Sequence, residues 1–150
     1  MRSRMLDDSN GETWVIALDT DEEVIADLMK FAKSNRLFGS RFTAVGALKD
    51  VTLASFDYDS KQFKPMKIQE QVEVATMYGD FWISNEQLEL RAYAIVARAD
   101  GTTIAGHLIE GHVRPVLEVT LIESPKSIHR RFDPASGLAL IDIRYEPPSL

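Results

Sequence analysis

The chain has 150 residues, of which 45% are apolar, 27% charged and none cysteine. A chain of that length buries roughly 70% of the surface its unfolded form exposes, enough for one self-supporting domain, and the missing cysteine excludes disulfides, thiolate-metal sites and cysteine nucleophiles. Seventeen basic residues against 23 acidic ones leave a net charge of −6, which opposes binding of a phosphate backbone by the domain as a whole.

Met1-Arg2-Ser3-Arg4-Met5 runs into Asp7, Asp8 and Asn10 without the apolar stretch of a secretory signal, and no apolar run approaches the ~20 residues of a membrane span. The expectation is a cytoplasmic protein that makes no membrane contact, with a flexible N-terminus over 1–12, one domain over 13–144 and a tail over 145–150. Thr13 to Leu18 is a β-branched and aromatic run that reads as a strand. The following Asp19-Thr20-Asp21-Glu22-Glu23 fits a helix start, Thr20 and Glu23 forming a reciprocal capping box. Val24, Leu28, Phe31 with Ile25, Met29, Ala32 then repeat at helical spacing, and the helix should stop near Asn35, before Gly39.

From there the chain is strand-like. Arg41 to Leu48 and Val51 to Phe56 flank Lys49-Asp50; Gln62 to Lys67 contains Pro65, which suits an edge. Gln71 to Met77 alternates and Gly79-Asp80 punctuates it. Leu88 to Ala97 and Thr103 to His112 are joined by Asp100-Gly101, a strong hairpin signal. Val116 to Ile122 follows Pro115 as a further strand, and a turn-rich Arg131 to Gly137 leads to Leu138–Ile143. No repeat or linker interrupts this order, so the fold class is α+β: a mostly antiparallel sheet packed with one main helix.

The candidate chemistry is sparse. His107 and His112 stand five apart, so on a regular strand their rings face opposite ways, unless a bulge at Gly106 or Gly111 intervenes. His129 with Arg130 and Arg131 reads as a small exposed basic patch. Glu110 and Glu118 lie in apolar runs, and Arg91 on the neighbouring hairpin strand is positioned to pair with either. Phosphate-loop, nucleophile-elbow and His-Glu-x-x-His patterns are missing.

Taken in order, Phe38-Gly39-Ser40-Arg41-Phe42-Thr43-Ala44-Val45-Gly46-Ala47-Leu48-Lys49-Asp50-Val51-Thr52-Leu53, Glu70 to Val74 with Gly79-Asp80, Asp100-Gly101, Gly106-His107-Leu108-Ile109-Glu110-Gly111-His112-Val113 with Pro115 and Glu118-Val119, and Arg131-Phe132-Asp133-Pro134 before Gly137 to Leu140 resemble the PPC domain, the plant and prokaryote conserved domain. The resemblance implies a PPC-like α/β fold that assembles as a homotrimer. In plant members an AT-hook outside the domain contacts DNA; no Arg-Gly-Arg-Pro core occurs in this chain, so direct DNA binding is not expected. In many prokaryotic members a His-x-His pair joins the Gly-His-Leu histidine in a cluster suited to zinc. Here those positions read Arg91-Ala92-Tyr93 and only His107 remains, so no metal and no other cofactor is expected. Three readings stay open: a homotrimeric binding or regulatory module that partners itself or other proteins; a small-molecule protein or enzyme whose pocket of Arg91, Tyr93, His107 and Glu110 takes an anion or carboxylate; and the DNA-binding regulator that the family label suggests.

Overall fold

The computed structural model describes residues 1–9, 11–84, 87–124 and 129–144; the tail expected over 145–150 lies outside them. The described chain runs β1 (Arg2–Asp7), β2 (Thr13–Asp19), α1 (Val24–Asn35), β3 (Ser40–Asp57), β4 (Gln62–Ile68), β5 (Val72–Ser84), β6 (Gln87–Ala97), β7 (Thr103–Glu123), β8 (Arg130–Asp133) and β9 (Leu138–Ile141). Seven strands make an antiparallel sheet in the order β1-β2-β7-β6-β5-β3-β4, and an extra β3–β7 pairing folds this sheet back on itself. The short β8–β9 hairpin stands apart as a second, two-stranded sheet. The α+β class read from the sequence holds. Among the described residues no helix is long and apolar enough to cross a membrane.

Helix α1 buries Val24, Leu28, Phe31 and Ala32 against the sheet, at the i, i+4, i+7 and i+8 spacing of one helical face. It begins later than the Thr20 cap predicts. Glu23 is the cap: its carboxylate accepts from the Ala26 N–H at 2.5 Å, while its own N–H donates to Asp27 Oδ2 at 3.0 Å. Thr20 is drawn away because its hydroxyl donates to the Pro115 carbonyl of β7, 3.1 Å off. The helix ends as expected, with Arg36 in the left-handed conformation.

Several boundaries read from local sequence disappear into longer strands. β3 runs straight through Lys49-Asp50, β5 through Gly79-Asp80, and β7 through Pro115. Each passage is handled by a register shift or by side-chain alternation. Opposite β7, the pairing of β3 jumps from Gly46↔Leu117 to Leu48↔Val113 and then to Asp50↔His112. Pro115 falls in the gap of that ladder, where its missing N–H costs no hydrogen bond. Pro65 sits in β4, the edge strand, as expected. The segment expected to be flexible over 1–12 instead contains β1, since the outer edge of β2 offers an unpaired row of backbone donors and acceptors to which Arg2, Ser3, Arg4 and Met5 pair.

The core lies inside the folded-back sheet and under α1. Phe42, Met77, Phe81, Leu117 and Leu121 are fully buried there. On the outer face the register aligns a cross-strand row, Val15, Thr120, Thr43, Tyr78, Tyr93 and His107, each residue paired with the next. That outer face carries the candidate site.

Candidate functional site

Alternation along β6 points Arg91 and Tyr93 to the outer face while Ala92 and Ala94 go to the core. Their cross-strand partners then follow from register: Asp80 on β5 lies opposite Arg91, and His107 on β7 opposite Tyr93. Arg91, Tyr93 and His107, singled out from the sequence, therefore converge. The His107 ring lies 4.0 Å from the Tyr93 ring, centroid to centroid, and meets the edge of Phe63 at 4.6 Å and 78°. The Arg91 guanidinium stands 5.6 Å from the Tyr93 ring centroid, a cation–π distance. Partial burial, helped by the positive charge of Arg91, holds the His107 pKa below the usual histidine value, so the imidazole stays neutral near pH 7.

Arg91 does not pair with Glu110 or Glu118. Its Nη2 donates to Asp80 Oδ1 at 3.2 Å, because Asp80 is the residue directly across the ladder. Glu110 stays exposed, accepts a hydrogen bond from the Thr52 hydroxyl at 3.0 Å and stands outside the cleft. A bulge does intervene, between Gly106 and Gly111 and not at either: Ile109 has no partner on β3 where pairing passes from Leu53↔Leu108 to Thr52↔Glu110. His112 is held by Asp50, Nδ1 to Oδ1 2.7 Å, and takes no part in the His107 group.

Two residues central to the site escaped sequence reasoning. By local sequence Asp80 punctuates a strand, yet it is 2% exposed. Arg130 reads from the sequence as part of an exposed basic patch, yet its side chain is only 2% exposed. Arg130 Nη2 donates to Asp80 Oδ2 at 2.5 Å, its Nη1 to the Ala139 carbonyl at 3.2 Å, and its guanidinium lies 4.8 Å from the Trp82 ring centroid. A carboxylate is tolerated out of water here because each of its oxygens takes a guanidinium N–H. The available signal was the alternation Tyr78, Asp80, Trp82 against Met77, Gly79, Phe81, which reads as one strand continuing past Gly79.

Between this outer face and the β8–β9 hairpin lies a cleft of about 270 Å³, lined by Arg91, Tyr93, His107 and Trp82 and by apolar side chains that include Phe63 and Leu140. Its surroundings are short of hydrogen-bond acceptors. Among the described residues, Trp82 Nε1, Arg91 Nε and Arg130 Nε are buried donors that find no partner. At the positions where the resemblance expects a His-x-His metal pair, a guanidinium and a phenol leave one imidazole as nitrogen ligand and a fixed positive charge beside it; these residues do not fit a zinc ion. Among the described residues no group of three or more His, Asp or Glu is placed to hold a metal.

The fold has close structural counterparts. A candidate DNA-binding protein of Bacteroides thetaiotaomicron superposes with a TM-score of 0.87 at 23% identity, over 95% of this chain and 99% of that one. A plant- and prokaryote-conserved (PPC) protein of Pyrococcus horikoshii gives 0.83 at 22% identity, over 97% of each chain. A metal-containing protein of Archaeoglobus fulgidus gives 0.82 at 19% identity, over 92% of this chain and 98% of that one. At such identities the likeness is one of fold. No curated protein sequence matches the chain. The Plants and Prokaryotes Conserved (PCC) domain matches residues 5–125, most of the sequence, and the chain belongs to that family, the one its sequence resembles under the spelling PPC.

Proposed function

We propose that this PCC-domain chain is a self-associating binding module whose outer-face cleft takes a small anion. The observation that carries the reading is a charge imbalance: two guanidiniums, Arg91 and Arg130, share the single carboxylate of Asp80. The cluster holds one positive charge more than it can neutralise internally, in a partly desolvated place where such a charge is costly without a counter-ion. Arg130 is sealed in, but a third of the Arg91 side chain remains exposed and reaches the cleft. Tyr93 and His107 add a phenol and an imidazole within the same cleft.

Assembly as a homotrimer is part of the proposal. Val45, Tyr78, Tyr93 and Ile95 are each more than 40% exposed on the outer face, and a second copy is one way to cover so much apolar surface. Duplex DNA is set aside as a partner: the net charge is −6, and burial removes Arg130 from the basic patch read from the sequence.

Calorimetric titration with acetate and with inorganic phosphate tests the anion site. Saturable heat that is lost in Arg91→Gln is the expected result. Absence of heat with both anions and with larger carboxylates would overturn the reading.

A further inference from the structure

We infer that the cleft selects a monocarboxylate with an apolar body, an aryl or alkyl acid of about benzoate size, over phosphate and over the shortest acids. The inference rests on the anion reading and names its ligand class. Charge is the first argument. Among the described residues the Asp80, Arg91 and Arg130 cluster carries a single uncompensated positive charge, which one carboxylate neutralises; a phosphate dianion would leave a negative charge facing Asp80 and the π-faces of Tyr93 and Phe63.

The walls are the second argument. Apart from the polar groups of Arg91, Tyr93, His107 and Trp82, the cleft is bounded by Phe63, Leu90, Leu108, Ile109, Leu138 and Leu140. Such walls offer a ligand few hydrogen bonds and much apolar contact, so affinity beyond the carboxylate must come from burying carbon. Ile109 and Leu140, which line this cleft, are 48% and 45% exposed overall; a bound ring or alkyl chain would take the cleft-facing part of that apolar surface out of water, and a bare phosphate would leave it wet. Size is the third. At about 270 Å³ the cleft falls just below the range typical of drug-sized ligands, roughly 300–1,000 Å³, which suits a single ring.

The expected geometry places the ligand carboxylate on the exposed edge of the Arg91 guanidinium. The hydrocarbon part then lies along Leu138 and Leu140 of β8–β9 and against the Phe63 and His107 rings.

The test is a calorimetric series on the unmodified protein with acetate, hexanoate, benzoate and inorganic phosphate, repeated on Arg91→Gln and Leu140→Ser. Benzoate and hexanoate should bind roughly tenfold or more tighter than acetate, through the apolar area they bury, and phosphate more weakly than either. Leu140→Ser should bring benzoate down toward acetate with acetate itself little changed, whereas Arg91→Gln should weaken all the carboxylates. If acetate or phosphate binds as tightly as benzoate, the selectivity inference is wrong and the anion site survives. If nothing binds, both readings fail. Undiminished benzoate binding in Arg91→Gln would show a hydrophobic site without the carboxylate contact, again sinking the inference. Should the Arg91 variant not fold, the four-ligand series on the unmodified protein still decides selectivity.

Discussion

At the scale of single residues, the site is organised by Asp80 more than by the residues the sequence advertises. Arg91, Tyr93 and His107 were legible through the family resemblance, which puts them at the positions of its histidine cluster, and the register of β6 on β7 sets Tyr93 opposite His107. Asp80 and Arg130 were not, because burial of a charge depends on which distant segment covers it, and the cover here is the β8–β9 hairpin arriving 50 residues later. Removing the carboxylate should therefore be far worse than removing one of its partners. Asp80→Ala leaves the Arg130 guanidinium, 2% exposed, without a counter-charge, and is expected to lower the unfolding free energy by about 3–5 kcal/mol. Arg91→Ala should cost clearly less, since Asp80 keeps Arg130 and the Arg91 side chain is already one-third exposed. Urea denaturation of both variants measures the difference; equal losses would mean that the triad is not the electrostatic unit described.

At the scale of elements, the sequence showed most of the strands, missed β1 and β8, and misjudged how long several of the others are. Lys49-Asp50, Gly79-Asp80 and Pro115 each carry local turn chemistry, yet β3, β5 and β7 run through them. Local propensity loses there to the pairing of long strands on both sides. β3 hydrogen-bonds β5 and β7 together over its first half, and a break at Lys49 would strand backbone donors in the core. What permits the run is the bulge at Gly46, where the pairing shifts against both neighbours. Gly46 has φ +145°, and a Cβ there would lie 2.3 Å from the Val116 carbonyl oxygen and 2.9 Å from the Leu117 Cα. Backbone, not a flexible side chain, blocks the space. Gly46→Ala is expected to destabilise by roughly 3 kcal/mol or more, read as a drop in thermal midpoint. Gly101→Ala at the open hairpin tip, with φ +82° but nothing within 4 Å, should cost about 1 kcal/mol from strain alone. If the two variants melt together, close packing of β3 on β7 is not what fixes Gly46.

At the scale of the whole molecule, the fold leaves an outer face that its helix does not cover. The core side is complete, with α1 closing it, but Val45 and Ile95 stand 52% and 41% exposed on the other side. Burying these residues against further copies would gain apolar contact, while each chain brings a net charge of −6 to the assembly. The two effects respond to salt in a definite direction. Screening weakens the mutual repulsion of like-charged chains and leaves apolar burial nearly untouched, so raising ionic strength should strengthen association. Any binding to DNA would respond the opposite way, because it depends on counter-ions released from phosphates. Light scattering should thus give a mass of three times the 16.9 kDa chain, holding to lower protein concentration as salt rises, and a Val45→Asp, Ile95→Asp double variant should run as a folded monomer. A monomeric unmodified protein at micromolar concentration, or a double variant that still forms the trimer, would remove the outer face as the assembly surface. A protein that shifts duplex DNA with submicromolar affinity at low salt and releases it as salt rises would instead reinstate the nucleic-acid reading, with a basic surface that the net charge conceals.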